Sequence, residues 1–217
     1  MSVCVFDVNE TLLDMAALDP FFERTFGDAA VRREWFGQML QLALTATITG
    51  EYRPFGEHAI AALEMLGARR GASVGDDERA AVREGMTSLP AHADVRPALE
   101  RLRAGGVRLA TLTNSTAEVA EAQLQFAGIR DLFEASLSAD SVRCLKPAPQ
   151  PYRYAAGRLE VPPESMLLVA AHGWDVAGAM AAGARGAFVA RPGMVPDPRD
   201  RPDMVVADLG ELADRLS

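Results

Sequence analysis

Short apolar runs recur along the 217-residue chain, and each is followed by a stretch with helical period. Val3–Val8 is the first strand candidate. The run GVRLATLTN at 106–114 is the second, introduced by the Gly105-Gly106 break. Runs at 133–138, 166–171 and 186–190 follow, and 204–209 adds an edge strand. Helical patterns fill 94–104, 116–127, 149–159 and 175–183. Strands alternating with helices of this length predict βαβ units, a parallel sheet and an α/β fold class.

The stretch from 16 to 90 breaks this rhythm, because no convincing strand lies in it. Val31, Trp35, Met39 and Leu42 fall on one face of a long helix. GEHAIAALEMLGARRG and DDERAAVREGM read as further helices, with Gly71, Gly75 and Gly85 as breaks. Asp76, Asp77 and Glu78 suit a helix N-terminus, not a metal site. The pattern predicts a helical cap at 16–90, inserted after the first strand of a core made of 1–15 and 91–217. Met15, Leu18, Phe21 and Phe22 are expected to pack its hinge. His58 and His92 read as surface residues, and the Pro-rich, charged segment 191–203 reads as a surface loop.

In open parallel sheets, ligands bind outside the carboxyl ends of the strands. The polar residues that end the apolar runs therefore converge. They are Asp7, Thr113 with Asn114, a group near Lys146, and the segment 171–175. One cleft would hold a carboxylate, a hydroxyl, an amide, an ammonium and a second carboxylate.

Composition narrows the partners. With 22 Lys+Arg against 30 Asp+Glu, the formal net charge is −8. An acidic chain repels nucleic acid and anionic lipid, so neither is expected as a partner. No apolar run reaches the length of about 18 residues that a membrane span needs, and no signal peptide is visible. The two cysteines, Cys4 and Cys144, form no C-x-x-C pair. Cytoplasmic residence is the expectation.

Asp7-x-Asn9-x-Thr11-Leu12, Leu112-Thr113-Asn114, Lys146-Pro147 and Trp174-Asp175 are similar, in order, to the four motifs of the haloacid dehalogenase superfamily. The resemblance runs through the whole chain and implies a Rossmann-like parallel sheet under a helical cap. Phosphatases of that superfamily use a second aspartate two residues after the nucleophile as general acid. They hold Mg²⁺ with an acid four residues before the last aspartate. Here those positions are Asn9 and Ala171. An amide cannot exchange a proton in this way, and alanine offers no side-chain oxygen to a hard cation.

The type II 2-haloacid dehalogenase branch, which works without metal or cofactor, resembles the chain more closely. Tyr152 follows Lys146 by six residues as in that branch, and WDVAGA, YRPF at 52–55 and RPGMV at 191–195 also fall where it has similar segments. The resemblance implies that Asp7 attacks carbon, expels halide and forms an ester that water hydrolyses. Thr11 would orient Asp7, and Lys146 would neutralise it. Asp175 would orient Lys146 and help activate water. Thr113 and Asn114 would bind the substrate carboxylate or halide, Asn9 would face the substrate, Tyr152 would join the polar cluster, and Trp174 would line the pocket. A cap arginine beside the substrate would be Arg32, four residues before Phe36, or Arg33. The partners would be a small organic acid, water and a second copy of the chain.

The chain departs from the branch at Asn9, at Glu10 where glycine is usual, and at Ala170 and His172 where the branch has serine and asparagine. His172 can donate to substrate or act as a base near neutral pH. With Asn9 it leaves open the same ester chemistry on another small carboxylate, such as fluoroacetate or a strained ring. A phosphatase and an inactive relative are the remaining alternatives.

Overall fold

The computed structural model describes residues 3–199 and 201–216. Six parallel strands among these residues form one sheet in the order β3-β2-β1-β4-β5-β6. They are β1 (Val3–Phe6), β2 (Arg108–Thr113), β3 (Ala135–Ser138), β4 (Met166–Ala170), β5 (Arg185–Val189) and β6 (Met204–Val206). The central strand β1 pairs with β2 on one side and β4 on the other. Strand order reverses there, which opens a crevice at the carboxyl ends of β1 and β4.

Both faces of β1 are buried, which explains its unbroken apolar run. Cys4 and Phe6 point into one core cluster, with Leu99 and Leu102 of α5 (Val95–Ala104) and Leu209 and Leu212 of α9 (Leu209–Leu216). Val3 and Val5 point into the other, with Tyr152 and Ala155 of α7 (Pro149–Arg158) and Val176 and Ala179 of α8 (Gly173–Ala181). The crossover helix between β2 and β3, α6 (Ala117–Phe126), starts at Thr116, whose hydroxyl accepts from the Val119 amide.

Between β1 and α5 lie four α-helices of the described residues: α1 (Asp19–Phe26), α2 (Val31–Thr49), α3 (Phe55–Arg70) and α4 (Asp76–Thr87). Their shared core is aromatic. Trp35 is fully buried, donates from Nε1 to the Ala59 carbonyl at 2.8 Å and packs against Phe22 with ring centroids 5.2 Å apart. Met15, Leu18, Phe21 and Phe22 join it as packing residues. The segments leading into and out of this layer meet in an isolated antiparallel bridge between Leu13 and Ala91. The Asp14 amide donates to the Pro90 carbonyl at 2.8 Å, and the His92 amide to the Leu12 carbonyl at 2.9 Å.

Several expectations need correction. Only 204–206 pair as a strand, and a ninth α-helix among the described residues begins at Leu209. Its start was readable as Asp208-x-x-Glu211. The Glu211 amide donates to Asp208 Oδ1 at 2.8 Å, and Glu211 Oε2 accepts from the Ala207 amide at 2.7 Å. Gly85 is not a break but lies inside α4, where a Cβ would come within 2.5 Å of Leu18 Cδ2. His58 is buried in α3, and His92 is half-buried with Nε2 3.2 Å from the Glu10 carbonyl. The segment 191–203 is not wholly surface. Arg191 is buried and donates to the Thr11 carbonyl at 2.9 and 3.0 Å and to Asp94 at 2.7 Å.

One glycine sets how closely α8 approaches the site. A Cβ at Gly178 would lie 2.5 Å from Pro147 Cβ and 2.7 Å from the Tyr152 hydroxyl. Gly178→Ala is therefore expected to lower stability by about 1–3 kcal/mol through overpacking. Gly157→Ala, at an exposed position in α7 with nothing within 4 Å, is expected to raise it by about 0.5–1 kcal/mol. Urea unfolding of both variants checks the pair.

Candidate active site

Asp7 follows β1 directly, and its amide still donates to the Val169 carbonyl of β4 at 3.0 Å. The carboxylate thus sits at the reversal point of the sheet, 5% exposed. The chain then turns. Leu12 and Leu13 donate back to the Val8 carbonyl, and Glu10 takes a left-handed φ of 60°. This turn returns Thr11 to Asp7. Thr11 Oγ1 donates to Asp7 Oδ2 at 2.7 Å and accepts from the Ala171 amide at 2.9 Å.

Lys146 reaches the other carboxylate oxygen. Its Nζ donates to Asp7 Oδ1 at 2.9 Å, to Asp175 Oδ2 at 2.6 Å and to the Leu112 carbonyl at 2.8 Å. The lysine side chain has no exposed surface. Asn114 holds the backbone of Lys146 from both sides. Its Oδ1 accepts from the Lys146 amide at 2.8 Å, and its Nδ2 donates to the Lys146 carbonyl at 3.3 Å. Tyr152 donates to Asp175 Oδ1 at 2.6 Å.

His172 completes the cluster from the segment after β4. Nδ1 lies 3.1 Å from Asp7 Oδ2, and Nε2 lies 3.1 Å from Glu10 Oε2. The ring is stacked between Phe36 at 5.4 Å and Trp174 at 5.2 Å. Glu10 Oε1 accepts from Arg32 at 3.1 Å, and Arg32 Nε donates to Asp19 at 2.5 Å.

Burial opposes every charge here, and partners decide the outcome. Burial pushes Asp7 up. The Lys146 charge, the His172 hydrogen bond and charge, and the Thr11 hydroxyl outweigh it and hold the carboxyl well below the usual range. Burial also disfavours the Lys146 ammonium, but Asp175 and Asp7 keep it above the ordinary lysine value. Asp175 is raised, by burial against the opposing Lys146 charge, with Asp7 adding to the rise. Burial, then the charge of Asp175, pushes the Tyr152 phenol well above its ordinary value. His172 is raised to about 9, because the two carboxylates more than offset its burial. At neutral pH its ring is charged and donates to both.

The structure brings Asp7, Thr11, Lys146, His172 and Asp175 into one hydrogen-bonded set. Trp174 borders it, with Lys146 Nζ 5.9 Å from its ring centroid. Trp174 Nε1 is buried with no hydrogen-bond partner among the described residues. Thr113 is buried, and its hydroxyl accepts from the Ser115 amide at 3.2 Å. Asn9 turns away from Asp7's partners. Its Oδ1 accepts from Gln123 at 3.0 Å, and Gln123 also donates to the Met86 carbonyl at 2.7 Å. Arg32 is paired with Glu10 and Asp19, whereas Arg33 is exposed and lines an open groove of about 980 Å³ with Glu10, Phe36, His172 and Trp174. Sequence reasoning passed over Glu10 as a site residue. The signal was a charged residue at a position where the resembling branch has glycine.

The donor set does not fit a hard divalent cation. Ala171 supplies no side-chain oxygen, and each oxygen of Asp175 accepts from a protein donor at 2.6 Å. The Lys146 ammonium bridges Asp7 and Asp175 where a cation would have to neutralise them.

Known proteins share both sequence and fold with this chain. Residues 1–183 match the haloacid dehalogenase-like hydrolase family. (S)-2-haloacid dehalogenase 2 of Pseudomonas sp. (strain CBS-3) is 30% identical over 216 residues, 98% of this chain and 94% of that protein. Haloacetate dehalogenase H-2 of Moraxella sp. (strain B) is 30% identical over 196 residues, 88% of this chain and 87% of that protein. The crystal structure of an L-2-haloacid dehalogenase superposes with a TM-score of 0.94 at 28% identity, over 100% of this chain and 98% of that one. With most of its length matched and the strand-end residues in place, the chain belongs to the haloacid dehalogenase-like hydrolase family.

Proposed function

We propose that this protein hydrolyses the carbon–halogen bond of small 2-haloacids. The observation that carries the reading is the buried Asp7–Lys146 pair beside Asn9 and Ala171. It is a nucleophile held ionised, with neither a general acid at position 9 nor a metal ligand at 171. An Asp7 oxygen attacks C2, the halide leaves, and an aspartyl ester forms. Water then attacks the acyl carbon, releases the 2-hydroxy acid and restores the carboxylate. Halide leaves as a stable anion, so the first step needs no proton donor. Thr11 and Lys146 fix the attack direction, and Asp175 with Tyr152 fixes Lys146.

The helical layer, residues 16–90, acts as a cap over a core of 1–15 and 91–217. Arg33 is the cation assigned to the substrate carboxylate, because Arg32 is engaged by Glu10 and Asp19 while Arg33 lines the groove. Trp174 Nε1 is the buried donor open to the departing halide. Two free cysteines suit the reducing cytoplasm, and no helix among the described residues is long and apolar enough to cross a membrane. The exposed apolar residues Leu44, Ile48 and Met65 support assembly as a homodimer.

Chloro-, bromo- and fluoroacetate and both 2-chloropropionate enantiomers, supplied with EDTA, test the activity by halide release. Release is expected in EDTA and is abolished in Asp7→Asn. A requirement for added Mg²⁺ would refute the mechanism. Arg33→Ala is expected to raise KM about tenfold, the loss of one charge-assisted hydrogen bond, with kcat changed less; steady-state kinetics read the split. Sedimentation equilibrium is expected to return twice the 23.3 kDa chain mass.

A further inference from the structure

Glu10 and His172, two residues that depart from the resembling branch, meet in the site with Nε2 3.1 Å from Oε2. We infer that they form the proton relay of ester hydrolysis: His172 takes the proton of the attacking water at Nδ1, and Glu10 orients the ring through Nε2. The inference rests on the dehalogenase reading and assigns the base of its second step.

The geometry favours His172 over Asp175. Asp175 has no exposed surface, and its two oxygens are taken by Lys146 and Tyr152. His172 is buried but borders the groove, and its Nδ1 is 3.1 Å from an oxygen of the carboxyl that becomes the ester. Stacking between Phe36 and Trp174 fixes the ring plane. Glu10 is fixed in turn. Arg32 holds its other oxygen, Asp19 holds Arg32, and its carbonyl meets His92. A left-handed φ at a glutamate persists only where the surroundings hold it.

Turnover itself switches the histidine. In the free enzyme the charged ring donates to Asp7 and Glu10. Alkylation removes the Asp7 charge, burial then favours the neutral ring, and the Nδ1 proton leaves through the groove. Glu10 keeps the remaining proton on Nε2, so the Nδ1 lone pair faces the ester. Water enters, its oxygen bonds to the acyl carbon, and its proton passes to Nδ1. The acyl–oxygen bond then breaks, and the departing alkoxide takes that proton to become the 2-hydroxy acid. The second proton of the water, left on the regenerated Asp7 carboxyl, passes to the free ring and restores the charged pair. Substrate and water have then become 2-hydroxy acid, halide and one proton.

The charged groups around the ring are Asp7 after β1, Glu10 in the turn, Arg32 and Arg33 from α2, Lys146 beyond Trp174, and Asp197 and Arg199 across the groove.

Rapid-quench kinetics with chloroacetate, with the covalent adduct followed by intact-protein mass spectrometry, test the relay. His172→Gln, which keeps a donor to Asp7 without a base, is expected to give a full chloride burst. Ester should accumulate, and its hydrolysis should slow by roughly 100-fold, the usual yield of a general base. His172→Ala should behave alike and regain hydrolysis with added imidazole. Glu10→Gln should also accumulate ester, with the pH dependence of hydrolysis moved to lower pH as the ring loses an anionic partner. Thermal melts check that each variant folds. Unchanged ester hydrolysis in the histidine variants, or equal loss of burst and hydrolysis without ester, would overturn the relay. A wild-type protein that releases halide from no 2-haloacid would overturn the dehalogenase reading itself, and the relay with it.

Discussion

A buried ammonium organises this site. The Lys146 side chain has no exposed surface, and an unpaired charge in that position would cost several kcal/mol. It is tolerated because three acceptors from different parts of the chain meet it: Asp7 after β1, the Leu112 carbonyl in β2 and Asp175 in α8. Satisfying that one charge requires β1, β2 and α8 to stand at fixed distances. The close contact of Gly178 with Pro147 and Tyr152 and the Asn114 clamp on the Lys146 backbone serve the same requirement. Charges then alternate outward, from Asp175 through Lys146, Asp7, His172, Glu10 and Arg32 to Asp19. The chain of pairs begins on α8 and ends on α1, so the helical layer is tied electrostatically to the carboxylate beneath it.

This arrangement separates carbon chemistry from phosphorus chemistry on one fold. A carboxylate attacking a phosphate ester has to overcome repulsion between anions and to protonate a poor leaving oxygen. Here Asn9 spends its carbonyl on Gln123, and the cationic partners of Asp7 are fixed side chains rather than an exchangeable metal. Such a site neutralises one carboxylate well and a multiply charged phosphoryl group poorly. A small monoanion with a leaving group that needs no proton matches that limit.

Much of this is legible in the sequence. The strand ends were readable because parallel strands buried on both faces are apolar throughout, so the first polar residue after each run marks the crevice. Asp7, Thr113 and the segment at 171–175 were found this way, and Lys146 and Asp175 by motif order. What stayed hidden depends on contacts between distant segments. His58 and Arg191 look like surface residues because polarity says nothing about which helix will cover them. The choice between Arg32 and Arg33 turns on which side of α2 meets Glu10, and periodicity alone does not fix that. Asn9 was expected to face substrate, and its amide instead meets Gln123, 114 positions away.

Glu10 and His172 are best understood as one substitution made in two places. A histidine next to Asp7 and Lys146 needs a second acceptor if its buried ring is to be charged, and Glu10 supplies it. Glu10 in turn would be a buried carboxylate with Arg32 as its one cationic partner among the described residues if a neutral residue stood at 172. Each residue offsets the burial penalty of the other, so neither substitution is neutral alone. The pairing also engages Arg32. It anchors the Glu10 carboxylate, and the imidazole places a second positive charge on Asp7 beside the Lys146 ammonium. Unlike a guanidinium, an imidazole can give up its proton when the neighbouring charge disappears. A site built this way sets beside the fixed Lys146 ammonium a second cation whose charge can follow the state of the nucleophile.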